Sequence, residues 1–297
     1  MKPCLLAIFA VAGTLAAAGP LTFATPEEAA HALVAAASRN DSAAMLNLFG
    51  PAGKDIVESG DPAAQKEARA EFARRAGEKL RVNVDPANQD HATIVVGQDD
   101  WPVPVPLVRS AGKWHFDIGR GRVEILARRI GRDELSAIEV CRGYVEAQMD
   151  YAKHDQTGGG MLAYAPKIIA TPGKKDGLYW AGAPENLVPK SFADAAAVLL
   201  AAEGKKPAPY HGYFFHILKA QGPDAEGGAV DYVVKGKMIG GFALVAWPAE
   251  YGVSGVKTFI VNHHGIVYAK DLGATTAATA RQMVRFNPDK TWKRVAE

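Results

Sequence analysis

The chain has 297 residues, 48% hydrophobic and 22% charged, enough for one large domain or two ordinary ones with a core that needs no disulfides. The formal net charge is +2 and no basic block stands out, which argues against nucleic acid as a partner, because backbone binding needs clustered Lys and Arg. Only Cys4 and Cys141 are present, too few for a disulfide framework.

Residues 1–18 read as a signal peptide. Lys2 supplies the positive start, Leu5 to Leu15 is apolar and uncharged, and Ala16-Ala17-Ala18-Gly19 offers a small-residue cleavage site. The apolar run is short for a membrane span, so no stable span is expected after cleavage. The expected location is therefore periplasmic or secreted. Cleavage would remove Cys4 and leave Cys141 without an intrachain partner; its helical context predicts a buried structural thiol.

Thr25-Pro26-Glu27-Glu28 is a helix start, with Thr25 as cap, Pro26 at the first helical position and Glu28 completing a capping box. Ala29, Leu33, Val34 and Ala37 form its apolar face. Asn40-Asp41-Ser42 recaps a short helix through Phe49, stopped by Gly50-Pro51, and Gly60-Asp61-Pro62 opens a third helix expected to bury Ala63, Ala70, Phe72 and Ala73. The period then changes to two: Leu80/Val82/Val84, Ala92/Ile94/Val96 and Val103/Val105/Leu107 alternate. Pro102, Pro104 and Pro106 sit on the opposite parity, as on an edge strand or a loop bordering a sheet. Ser110-Ala111-Gly112 turns the chain into an aromatic strand at Trp114 and Phe116. Helices followed by a meander, over residues 23–118, resemble the cystatin-like or nuclear transport factor 2-like fold.

Residues 120–297 are expected to form a second module. Arg120 to Met149 is helical, with a stripe at Leu135, Ile138, Cys141, Val145 and Met149. Five strands are expected at Tyr210–Ala220, Val230–Lys235, Ile239–Trp247, Val256–Val261 and Ile266–Tyr268, the last after a turn at Asn262-His263-His264-Gly265. A helix laid on an antiparallel sheet resembles pilin-like secreted modules, although Glu139, Arg142 and Glu146 exclude this helix from a membrane. Phe192–Glu203 and Thr275–Phe286 are predicted short helices. The fold class read from the chain is α+β.

Six motifs carry a more specific resemblance: Ala24-Thr25-Pro26-Glu27-Glu28, Gly97-Gln98-Asp99-Asp100-Trp101-Pro102, Thr171-Pro172-Gly173-Lys174-Lys175-Asp176-Gly177-Leu178-Tyr179-Trp180, Tyr210-His211-Gly212-Tyr213, Gly236-Lys237-Met238-Ile239-Gly240-Gly241-Phe242 and Ala249-Glu250-Tyr251-Gly252-Val253-Ser254-Gly255. In this order they resemble the exported bacterial family known as domain of unknown function 2950. The resemblance implies an envelope location and no particular activity. Where similar proteins carry an Asp/Gly-rich, calcium-loop-like stretch, this chain reads Lys153 to Met161, with one carboxylate at Asp155.

The chemistry legible in the residues is that of binding. No His-Glu-x-x-His or His-x-His spacing occurs, and Ser254 lies between strands rather than at a strand–turn–helix elbow, so neither metal, cofactor nor catalytic residue is assigned. Asp99 and Asp100 are neighbours on an extended chain and face apart. The candidate ligand-binding set is Lys174, Lys175, Asp176, Tyr179, Trp180, Tyr210, His211 and Tyr213, amphipathic aromatics beside a basic pair. The reading is a non-catalytic binding or assembly module that supports an appendage or the cell envelope, its partner an envelope protein or polymer. Two alternatives are a periplasmic hydrolase assembled from His211, Asp176 and Lys175, and a small-ligand carrier with an apolar cavity near Trp101 and Trp114.

Overall fold

A computed structural model describes residues 19–58, 62–156, 158, 160–197 and 208–296. The expected signal peptide and residues 198–203 of the expected Phe192–Glu203 helix lie outside them. The chain is α+β and divides into two compact units, between Ile125 and Leu126.

The first unit begins with α1 (Pro26–Ser38), α2 (Ser42–Phe49), α3 (Lys54–Val57) and α4 (Pro62–Glu78). Thr25 Oγ1 accepts the Glu28 N–H at 3.2 Å, and the Glu28 carboxylate reaches back to the Ala24 N–H at 3.0 Å. Asp41 caps α2 by accepting the Ala44 N–H at 2.9 Å. The buried face of α4 differs from the expected one. Ala63 and Ala70 are exposed, whereas Arg69 and Ala76 are buried and Phe72 is half-buried. Arg69 is buried because its guanidinium donates to Asn40 Oδ1, Ser42 Oγ and the Val57 carbonyl, tying α4 to the preceding helices.

Five strands follow: β1 (Leu80–Val84), β2 (His91–Val96), β3 (Trp101–Pro102), β4 (Leu107–Ser110) and β5 (Lys113–Phe116). They form an antiparallel meander in the order β1-β2-β4-β5, with β3 also on β2. The strand expected through Val103 and Val105 is instead a loop beside the sheet. Its parity survives, since Val103, Val105 and Leu107 are buried beneath less buried prolines. Ala111 (φ 50°) and Gly112 (φ 77°) make the two-residue β4–β5 turn. Leu33, Phe49, Ile94, Leu107, Trp114 and Phe116 share the core. Trp114 is thus a core side chain, with the Arg109 guanidinium 5.4 Å above its ring, rather than a cavity wall; Trp101 is exposed.

The long helix α5 (Ile118–Tyr151) spans the division between the units. In the second unit it is followed by α6 (Lys190–Ala196), β6 (Tyr213–Leu218), β7 (Ala220–Gln221), β8 (Val230–Asp231), β9 (Val233–Val234), β10 (Lys237–Met238), β11 (Ala243–Pro248), β12 (Lys257–Asn262), β13 (Val267–Asp271), α7 (Thr276–Gln282), β14 (Arg285–Phe286) and β15 (Lys293–Arg294). The main sheet is antiparallel, in the order β15-β13-β12-β11-β6. β11, interior to the sheet between β12 and β6, is buried along its whole length, as expected of a strand covered on both faces. The expected strand Val230–Lys235 is not in this sheet. It breaks at buried Tyr232, whose hydroxyl donates to Gln221 Oε1 at 2.8 Å; β8 pairs with β7, and β9 with β10. The tail supplies the missing edge, β15, and its expected helix ends at Gln282, before β14 pairs parallel to β7.

The helix stripe is also rotated from the expected one. Ile138 and Cys141 are buried as expected, but Leu135 is 66% exposed and Met149 39%, and Ala137, Tyr144, Gln148 and Tyr151 are buried instead. Gln148 explains part of this. Its side-chain amide accepts the Ala165 N–H at 2.8 Å and donates to the Ala165 carbonyl at 3.0 Å and the Tyr144 hydroxyl at 2.9 Å. A buried glutamine that serves both groups of one peptide residue acts as a strand edge would. No helix of the described residues is long and apolar enough to cross a membrane.

Candidate functional site

The segment 167–187 is long and carries no strand or helix longer than a bridge, yet its backbone is closely tied. Thr171-Pro172-Gly173-Lys174 is a turn with the Lys174 N–H on the Thr171 carbonyl at 2.9 Å and Gly173 at φ 77°, the type II arrangement that Pro-Gly favours. A second turn, Trp180 to Ala183, closes with the Ala183 N–H on the Trp180 carbonyl at 3.1 Å and Gly182 at φ 82°. Between the turns, Ile169 and Tyr179 form a parallel bridge. Gly177 permits it, because a Cβ there would lie 2.5 Å from the Ala170 nitrogen.

Asp176 is the brace of this segment. Its carboxylate accepts the Thr171 N–H at 2.7 Å, the Thr171 hydroxyl at 2.8 Å and the Lys167 ammonium at 2.8 Å. Burial pushes the carboxyl up, but the Lys167 hydrogen bond and both Thr171 donors outweigh it and hold the pKa at about 2. Tyr151, at the end of α5, donates its hydroxyl to the Lys175 carbonyl at 2.6 Å. The two turns border a groove of about 550 Å³ lined by Ile169, Pro172, Lys174, Lys175, Trp180 and Glu185, among others. Lys175 Nζ stands 5.2 Å from the Trp180 ring centroid. Both lysines are exposed, and neither pairs with a carboxylate among the described residues.

Tyr210 and His211 line a different groove, of about 460 Å³, with Glu139, Gly143 and Glu146 of α5 and with Val188 and Phe192. Tyr210 and Tyr213 exchange two backbone hydrogen bonds of 3.0 Å across a turn whose central residues are His211 (φ 48°) and Gly212 (φ 74°). The strand expected from Tyr210 therefore begins at Tyr213.

The structure brings Lys174, Lys175 and Trp180 together and does not join Tyr210 and His211 to them. Asp176 is the brace beneath, and Tyr179 is half-buried in the bridge. Tyr213 has no surface for a ligand: it is fully buried, its hydroxyl donates to the Lys257 carbonyl at 2.9 Å, and burial followed by the Glu134 and Asp133 charges raises its pKa. A hydrolase built on His211, Asp176 and Lys175 would have its members divided, with His211 and Lys175 on separate grooves and Asp176 committed to Lys167 and Thr171. Asp99 and Asp100 also part company, the first pairing with Arg75 and the second with Lys79 and Arg81. In the Lys153–Met161 stretch Asp155 accepts the Gly160 N–H, and among the described residues no three His, Cys, Asp or Glu side chains gather as a metal set.

Sequence reasoning missed Glu139, Gly143 and Glu146 as groove residues. Their spacing of four and three places them on one helix face, which was the available signal. No curated protein and no solved structure matches the chain. A family model described as "Protein of unknown function (DUF2950)" matches residues 21–295, and the chain therefore belongs to the DUF2950 family.

Proposed function

We propose that this is an exported, non-catalytic binding module of the cell envelope, and that the groove between the turns at Thr171–Lys174 and Trp180–Ala183 takes an anionic stretch of an envelope protein or polymer. The observation that carries the reading is the pair of exposed lysines, free of carboxylates among the described residues, held beside Trp180 on a braced loop. An exposed ammonium–carboxylate pair contributes only about 0.2–1 kcal/mol. The apolar surface of Ile169, Pro172 and Trp180 must therefore supply most of the affinity, with the lysines selecting sign and raising the encounter rate.

Two further features support export and binding together: the charged start, apolar run and small residues of 1–18, and an aromatic side chain, Trp180, among the lining residues of the groove. A photo-crosslinking amino acid placed at Ala181 in the intact cell tests the proposal. A discrete adduct is expected, in the envelope fraction, and it should vanish in the Lys174→Glu/Lys175→Glu double variant. An adduct indifferent to that reversal, or none at all with folded protein in the envelope, would overturn it.

A further inference from the structure

We infer that the groove along α5 is a second docking site, for a polypeptide segment carrying an apolar side chain flanked by Lys or Arg. It stands apart from the lysine-bearing groove and selects the opposite charge. Its floor is apolar, with Val140, Tyr144, Val188 and Phe192, of which Tyr144, Val188 and Phe192 are buried. Its rim carries Glu139 and Glu146, and no Lys or Arg is among its lining residues. Glu139 shares the Arg142 guanidinium at 3.1 Å on the helix surface; Glu146 is exposed and has no ion-pair partner among the described residues. A cation entering the groove therefore meets a carboxylate that no internal bond has to release.

Gly143 supplies a separate observation. It lies on the same helix face, between the two glutamates, and is exposed. Its φ is not positive, and a Cβ there would meet nothing within 4 Å. Neither backbone conformation nor internal packing requires glycine, although glycine disfavours a helix interior relative to alanine. What glycine does provide is a bare stretch of helix backbone on the exposed side of the groove, where another chain can approach closely. A groove of about 460 Å³ accommodates a few side chains. An apolar residue fits the Val140–Phe192 floor while its basic neighbours reach the rim.

The experiment uses the full chain and a fluorescein-labelled peptide, Lys-Leu-Phe-Lys-Leu-Lys, with Glu-Leu-Phe-Glu-Leu-Glu as its charge-inverted counterpart, followed by anisotropy. The basic peptide should bind, and the acidic one should bind at least tenfold more weakly here once the lysine groove is neutralised by Lys174→Gln/Lys175→Gln. Affinity for the basic peptide should fall about tenfold or more in Glu139→Gln/Glu146→Gln, and likewise in Gly143→Leu, which sets a bulky side chain on the exposed helix face between the glutamates and is a better helix former. Neutralising the lysines, in Lys174→Gln/Lys175→Gln, should leave it unchanged, which separates this site from the first. Urea midpoints no lower than that of the parent chain certify that the variants are folded. Basic-peptide binding that survives both the glutamine pair and Gly143→Leu, or equal binding of the two peptides, would overturn the assignment.

Discussion

Replacing Gln148 by leucine tests the claim that one buried amide holds the segment at Ala165 onto α5. The side chain is fully buried and makes three hydrogen bonds, two to the peptide groups of Ala165 and one to the Tyr144 hydroxyl. Leucine has similar bulk and no polar atoms, so the Ala165 N–H, the Ala165 carbonyl and the Tyr144 hydroxyl each lose a partner. Leaving a buried polar group unsatisfied costs about 1–3 kcal/mol. The Tyr144 hydroxyl keeps its donation to the Ala243 carbonyl at 3.5 Å, so two groups are left unsatisfied; their cost, less about 1–2 kcal/mol regained from the apolar side chain, leaves a net destabilisation of about 2–3 kcal/mol. For a unit of this size, each kcal/mol lowers Tm by about 2–4 °C, which predicts a fall of about 5–10 °C. Equilibrium urea unfolding of the full chain reads the loss as a lower midpoint at unchanged m. A loss below about 1 kcal/mol would refute the reasoning, because it would mean that Ala165 finds other partners without cost.

Three other outcomes follow from named groups. His216 and His263 are held below the ordinary 6.5, first by burial and, for His263, next by the His264 charge. As pH falls through about 6.5 the unfolded chain takes protons before the folded one, so the urea midpoint should be highest above that pH and drop below it. A flat or rising midpoint between pH 7.5 and 5.5 would contradict this. Cys141 is completely buried, and burial pushes its thiol up to about 12. Alkylation mapped by mass spectrometry should leave the Cys141 peptide unmodified in native protein and modify it in urea; native labelling would show that the helix face has been misjudged. Gly177→Ala forces a Cβ to within 2.5 Å of the Ala170 nitrogen, so the Ile169–Tyr179 bridge must open. The expected result is a loss of about 1–3 kcal/mol and faster proteolytic cleavage near 170–180, and an unchanged cleavage rate would count against a braced loop.

Local chemistry was legible wherever a few adjacent residues decide the conformation. Thr25-Pro26 starts α1, Ala111-Gly112 and Asn262 to Gly265 make hairpin turns, and the alternation at Ala92, Ile94 and Val96 sets the buried face of β2. The contiguous motif Lys174-Lys175 with Trp180 also survives as one groove, because its residues are held by a turn only a few positions long. The face of α5 was not legible. Leu135 and Met149 satisfy the helical period as well as Tyr144 and Gln148 do, and aliphatic spacing alone favours the wrong pair. Only the partners on Ala165 and Phe242 decide that Gln148 and Tyr144 turn inward.

The same limit governs the sites. The sequence by itself determined the α+β class, the main antiparallel strands and the basic-aromatic turn, since each depends on the period or turn chemistry of neighbouring residues. Tertiary structure decided that Tyr210 and His211 belong with Glu139, Gly143 and Glu146, that Tyr213 is sealed in the core, and that the tail's β15 closes the sheet edge. These are pairings between residues far apart along the chain. They are selected by how buried surfaces fit and how buried polar groups find partners, quantities that no local pattern contains.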